Sequence, residues 1–180
     1  HVANTMPAPY YRFDGSNDVI DMGDDTDLDL TKNMSLEVTF RPSVVDGNYR
    51  ALAGKDDGTN RNYVLFINDE NKVVFRPVFS GSGSSASSDD VVVAGKQYHA
   101  VATYDPSLGS DNIKLYVNGV LQASTANETA DIDNDDVEFE LGARGAGWYY
   151  SGEISKVSAY NLALTAPEVK ELYSGASVPF

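Results

Sequence analysis

The chain has 180 residues, 42% of them hydrophobic, which is enough for one sizeable core and argues against disorder. Its 27 acidic residues against 13 basic ones leave a net charge of −14, which opposes nucleic-acid or anionic-membrane binding and suits divalent-cation sites. No apolar run approaches the roughly 18 residues of a membrane helix, and the lack of cysteine leaves the compartment open.

Residues 1–9 carry two prolines and no periodicity, and read as an extended lead-in to a single domain over 10–180. His1 in place of Met reads as a trimmed or excised chain. Short strands are predicted over 10–14 and 18–22, about a Gly15-Ser16-Asn17 turn. Residues 35–40 alternate Leu36, Val38 and Phe40 with Glu37 and Thr39, and Arg41-Pro42 closes the strand. Strands over 51–55, 63–68 and 72–79 follow, the last two joined by Asn68-Asp69-Glu70-Asn71. Residues 81–88 are rich in Gly and Ser and read as a mobile loop. Further strands are predicted over 91–93 and 98–104.

The strongest local signal spans 113–124. Ile113, Leu115 and Val117 alternate with Lys114 and Tyr116, and Asn118-Gly119 separates them from a second apolar run. Period-two alternation buries one face, and Asn-Gly accepts positive φ at both centres of a type I′ turn. This is a β-hairpin. Strands over 137–141 and 153–160 complete the set. One helix is predicted: Thr165 as N-cap, Glu168 closing a capping box, a Val169, Leu172, Tyr173 stripe, and Gly175 as terminator. Many short strands with one late helix mean an all-β, two-sheet antiparallel sandwich.

Three segments in order resemble one family. They are Tyr11-Arg12-Phe13-Asp14-Gly15-Ser16-Asn17-Asp18 with Met34–Pro42, then Tyr98-His99-Ala100-Val101-Ala102-Thr103-Tyr104-Asp105 with the hairpin, then Leu141–Arg144, Tyr150–Val157 and Tyr160–Thr165. Together they resemble the laminin G-like, concanavalin A-like jelly-roll domains related to pentraxins, over roughly residues 10–175. Tyr98 stands where Trp is usual, and Ser155 where Asp is frequent. The resemblance implies a jelly roll that recognises glycans or proteins, with calcium in several members. It implies an extracellular, cell-surface or virion-surface setting, within a larger polypeptide or assembly.

Asp14-Gly15-Ser16-Asn17-Asp18 offers close-spaced oxygens but reads better as an Asx-type turn. Asp24–Asp29 reads as plain acidic loop. Asp131–Asp136 begins like an EF-hand, yet Asp136 stands at the sixth position and Gly142 at the twelfth, so it is not one. In the resembling family this segment carries a calcium ligand. The resemblance thereby implies Asn62 and Asn134, the Ile132 carbonyl, and Asp133 or Asp135 as a calcium set; the alternative is a solvated acidic loop. The only Trp lies in the glycine-rich run Gly142–Tyr150. Trp148 and Tyr149 could stack on sugar rings and Arg144 could bond hydroxyls or carboxylates, with Asp56, Asp57, Asn60 and Arg61 sharing the rim. Asn48 and Tyr49 are weaker candidates. His99 reads as a hydrogen-bonded structural histidine. Asn33-Met34-Ser35 and Asn127-Glu128-Thr129 have the glycosylation pattern.

Retaining glycosidases need two carboxylates about 5–5.5 Å apart, written on a strand as Glu-x-Asp-x-x-Glu or a near variant. Glu138-Phe139-Glu140 comes nearest and lacks the third acid. The sequence also lacks a nucleophile elbow, a His-Glu-x-x-His motif and a phosphate loop. The expectation is a non-catalytic recognition module, carbohydrate-binding and calcium-assisted; the alternative is a structural or protein-binding domain without a sugar ligand.

Overall fold

In the computed structural model, which describes Met6, residues 9–125 and residues 128–175, the alternation over 35–40 becomes an inward row. Met34, Leu36, Val38 and Phe40 are each fully buried in one core. The predicted lead-in over 1–9 lies outside the described residues apart from Met6 and Pro9, and so does Asn127 of the second glycosylation pattern.

The described residues form thirteen strands: β1 Tyr11–Asp14, β2 Ile20–Asp21, β3 Met34–Pro42, β4 Arg50–Asp56, β5 Arg61–Ile67, β6 Lys72–Phe79, β7 Ser82–Gly83, β8 Ala86–Val91, β9 Tyr98–Tyr104, β10 Ile113–Val117, β11 Val120–Thr125, β12 Phe139–Leu141 and β13 Ser151–Tyr160. One helix, α1, spans Ala166–Ser174. Sheet A has the order β1-β13-β3-β9-β10-β11. Sheet B runs β2-β12-β4-β5-β6, with β7 and β8 both on β6. Every pairing is antiparallel. The core lies between the sheets, as in a two-sheet jelly roll. Ala100, Tyr104, Ile113 and Leu115 come to it from sheet A, and Leu52, Tyr63, Leu65 and Phe75 from sheet B.

The hairpin forms as predicted, with Asn118 at φ 53° and Gly119 at φ 75°. Asn118 also ties the turn to the next strand: its Oδ1 accepts from the His99 amide at 3.0 Å. Lys114 and Tyr116 point away from the core. There Val101, Tyr116 and Val169 make a separate apolar cluster, so α1 closes the outer face of sheet A. The capping box is present, with Glu168 Oε2 accepting from the Thr165 amide at 2.7 Å.

Beneath the same face Glu37 is fully buried. Its carboxylate accepts from Lys156 Nζ at 2.8 Å and Tyr160 Oη at 2.8 Å, and meets His99 Nε2 at 2.9 Å. Burial pushes this carboxyl up, but the three partners outweigh it and hold it down at about 2. His99 is therefore a hydrogen-bonded structural residue.

Two segments depart from expectation. Residues 81–88, read as mobile, contain β7 and the start of β8. Ser88 is buried because its Oγ accepts from the Val73 amide at 3.1 Å, where the β6–β8 register shifts. A hydroxyl there replaces a missing ladder bond, which composition does not reveal. The strand expected over 91–93 accordingly ends at Val91. The acidic segment 24–29 is more than loop. Lys55 points into the sandwich beside Tyr63 and Phe139, fully buried, and its Nζ meets Asp24 and Asp29 at 2.5 Å each. A buried ammonium needs such partners.

Candidate functional site

Tyr63, Leu65 and Ile67 send their side chains to the core, so Val64 and Phe66 of β5 face outward from sheet B. They are nevertheless buried, at 1% and 3% exposed, together with Ala51 and Val74. What covers them is Trp148, reaching over from the loop between β12 and β13. Trp148 takes φ 49°, a left-handed conformation that a bulky residue rarely adopts. The Ala51 amide anchors it by donating to the Trp148 carbonyl at 2.7 Å.

Around the indole the packing is aromatic and cationic. Tyr49 stacks on it with ring centres 4.7 Å apart and planes 19° apart. Phe66 lies 5.1 Å away. The Arg144 guanidinium carbon is 4.2 Å from the indole centre, and that of Arg76 is 5.5 Å from it and 5.3 Å from Phe66. Both arginines hold one carboxylate: Asp56 Oδ1 accepts from Arg144 Nε at 2.6 Å, and Oδ2 from Arg76 Nη2 at 3.0 Å. The Asp56 carboxylate itself is fully buried. Cations over aromatic faces contribute roughly 0.5–2 kcal/mol each, more when desolvated.

Three predicted residues, Trp148, Arg144 and Asp56, are thus brought together, though two of them differ from expectation. The indole faces are occupied by Tyr49, Arg144 and Phe66, so the open ring is that of Tyr49, 39% exposed. Asp56 is a buried counter-ion beneath the arginines and not a rim group. The other loop residues serve mainly to shape the rim. Asp57 Oδ1 accepts from the Thr59 and Asn60 amides at 2.7 Å, and these bonds outweigh burial to lower its pKa. Arg61 Nη2 donates to the Gly81 carbonyl at 2.9 Å, and the Tyr149 carbonyl accepts from Arg50 Nη1 at 2.8 Å. Asp14 makes the Asx turn, accepting from the Ser16 amide at 2.7 Å.

Sequence reasoning missed Phe66 and Arg76 and ranked Tyr49 low. A usable signal was the unbroken run Tyr63-Val64-Leu65-Phe66-Ile67, since a strand apolar on both sides is covered on both sides. Gly83 is the other missed part. A Cβ there would lie 2.8 Å from Arg76 Cδ, so only glycine lets the β7 turn settle over that side chain.

The residues implied for calcium also cluster, but Asn62 and Asp135 are engaged on each other, and Asp133, Asp135 and Ile132 on neighbouring backbone groups. Asn62 Oδ1 accepts from the Asp135 amide at 2.7 Å, and its Nδ2 donates to the Asp135 carbonyl at 3.0 Å. Asp133 accepts from the Ser80 and Gly81 amides at 2.7 Å each, and Asp135 Oδ2 from the Arg61 amide at 3.0 Å. The Ile132 amide donates to the Thr31 carbonyl, and Asn134 is exposed. Among the described residues no group of three or more His, Cys, Asp or Glu is placed to hold a metal. Asn62 Oδ1 already accepts from the Asp135 amide, which leaves it one lone pair. Glu140 is likewise turned onto the Gly145 amide at 2.7 Å, with its pKa raised chiefly by burial. A depression of about 400 Å³ lined by Asp29–Asn33, Asn161 and Leu162 shares no residue with the Trp148 face and offers no ring to stack on.

A sequence model described as the concanavalin A-like lectin/glucanases superfamily matches residues 14–170. A search of curated proteins finds no significant relative. Among solved structures, the Ruminococcus gnavus IT-sialidase CBM40 bound to alpha2,3 sialyllactose is 15% identical with a TM-score of 0.71, covering 91% of this chain and 97% of that one. The botulinum neurotoxin serotype G binding domain is 16% identical with a TM-score of 0.71, covering 92% of this chain and 42% of that one. The receptor binding domain of a botulinum neurotoxin mosaic serotype C/D is 17% identical with a TM-score of 0.75, covering 96% and 43%. The chain therefore spans less than half the length of the toxin chains. At these identities the likeness is one of fold.

Proposed function

The chain belongs to the concanavalin A-like lectin/glucanases superfamily, and from that premise we propose that it is a non-catalytic carbohydrate-recognition module binding glycan on the outer face of sheet B. The observation that carries this is the asymmetry of the two faces. Helix α1 covers the apolar patch of sheet A, whereas the patch of sheet B is covered by aromatic side chains and arginines that reach solvent. Tyr49 offers a ring for the apolar face of a sugar, and the neighbouring guanidiniums donate to its oxygens. The sialidase domain bound to sialyllactose, which matches over 97% of its length, supports the same reading. Such a module would work outside a cell, at a cell surface or on a virion, as part of a larger polypeptide.

A glycan array, repeated with Tyr49→Ala, tests this. Binding to at least one glycan, weakened by the substitution, is expected. Silence across the array would leave a structural or protein-binding domain instead.

Calcium belongs to the proposal as an accessory at the 132–135 loop, through the lone pairs that Asp133, Asn134 and Asp135 retain. A ligand that binds only the folded state raises the melting temperature. Thermal melts with millimolar calcium and with chelator should therefore differ; coincident melts would remove calcium from the account.

A further inference from the structure

We propose that the sugar bound on the sheet B face carries an anionic substituent, carboxylate or sulfate, gripped by Arg76 and Arg144 while Asp56 positions both. The inference rests on the carbohydrate reading above and narrows it. In a chain of net charge −14, two of the six arginines, Arg76 and Arg144, pack on this one indole and share one carboxylate.

The depth of each group decides what a ligand meets. Asp56 is fully buried, while the Arg76 and Arg144 side chains are 20% and 14% exposed. The counter-ion lies below and the cations above, so a group arriving from solvent meets positive charge first. Each guanidinium has five N–H donors in a planar fork, and Asp56 takes one from each arginine. Arg76 Nε is buried without a hydrogen-bond partner among the described residues, so a ligand meets the terminal Nη donors that Asp56 does not take. Of the other acids near this face, Asp57 is engaged on the Thr59 and Asn60 amides, Glu140 on the Gly145 amide, and Asp69 on the Tyr49 hydroxyl.

The two guanidiniums are also held still. Arg144 lies over the indole, and Arg76 is packed between Phe66 and the Gly83 backbone. Pre-organised planar donors favour a carboxylate or sulfate over a lone hydroxyl. Tyr49, stacked on the same indole, would take the ring that bears the anion.

Titration calorimetry with alpha2,3-sialyllactose, a glucuronate-terminated disaccharide, a 3-O-sulfated lactose and plain lactose tests this. At least one anionic probe is expected to bind about tenfold or more tighter than lactose, with the advantage shrinking as salt is raised. The carboxylate and sulfate arms identify which anion is preferred. Arg76→Gln should erase the preference, Arg76→Lys should keep part of it, and Asp56→Asn should lower the anionic-to-neutral ratio more than the lactose affinity. Near-UV circular dichroism of Trp148 checks that each variant keeps the face intact. Equal affinity for lactose and its charged derivatives would overturn the inference and leave the carbohydrate reading standing. Binding of none of the four, with a silent array, would overturn both.

Discussion

Trp148 holds a backbone angle of +49° that costs a non-glycine residue roughly 1–3 kcal/mol, and such strain gathers where a surface is built for contact. Its packing over Ala51, Val64, Phe66 and Val74 must exceed that cost. Trp148→Ala is therefore expected to destabilise the fold by about 2 kcal/mol, whereas Tyr49→Ala, at an exposed site, should stay within about 1. Urea titration of the two variants checks the split; equal losses would make Tyr49 a packing residue. Trp148 and Arg144 were legible because a lone Trp in a glycine-rich loop is conspicuous in any sequence. Arg76 was not. Its strand reads as apolar, and period-two alternation tells which face a residue takes without telling what covers that face. The resemblance paired Asn62 with Asn134 and kept Asp135 as an alternative oxygen; the bracket that Asn62 makes on Asp135 depends on the close approach of β5 and a loop 73 residues away.

Elements show the same division. The 113–124 hairpin was readable in full because its turn chemistry is local, and the helix because its capping box is. Its fit against α1 was not local: a Cβ on Gly119 would lie 3.0 Å from Tyr173. Gly119→Ala should cost about 1–3 kcal/mol, from positive φ and this contact together, measurable as a shifted denaturation midpoint. Strands β7 and β8 stayed hidden because Gly and Ser are read as loop residues, while here Gly83 makes room for Arg76 and Ser88 mends a ladder. The Glu37 cluster sets the acid limit of sheet A. Its carboxyl lies at about 2 in the folded chain against an ordinary 4.5, so its contribution is complete above pH 4.5 and is lost as pH falls toward 2. The size is roughly 3 kcal/mol. Glu37→Gln should flatten the stability curve across that window in acid titrations followed by circular dichroism; an unchanged slope would assign the acid limit to other carboxylates.

For the whole molecule, a net charge of −14 means self-repulsion that local ion pairs only partly offset. Raising salt from about 10 to 150 mM should raise the melting temperature, since screening reaches surface charges first. A flat response would show that pairs such as Lys55 with Asp24 and Asp29 already balance the field. The jelly roll was legible at this scale because three modest motifs occur in one order, whereas the ligand surface depends on which sheet face the helix leaves open. Sheet A also has a temporal consequence. Strand β1 pairs with β13, and Arg12 meets Glu153 across 141 residues of sequence. On a ribosome, the first of the described strands waits for the last of them before it has a partner, with Phe13 meanwhile outside the core it later joins. Closure of that sheet edge is thus a late event in the folding of the domain, and the interval is a window in which a chaperone or a neighbouring nascent strand can pair with β1 first.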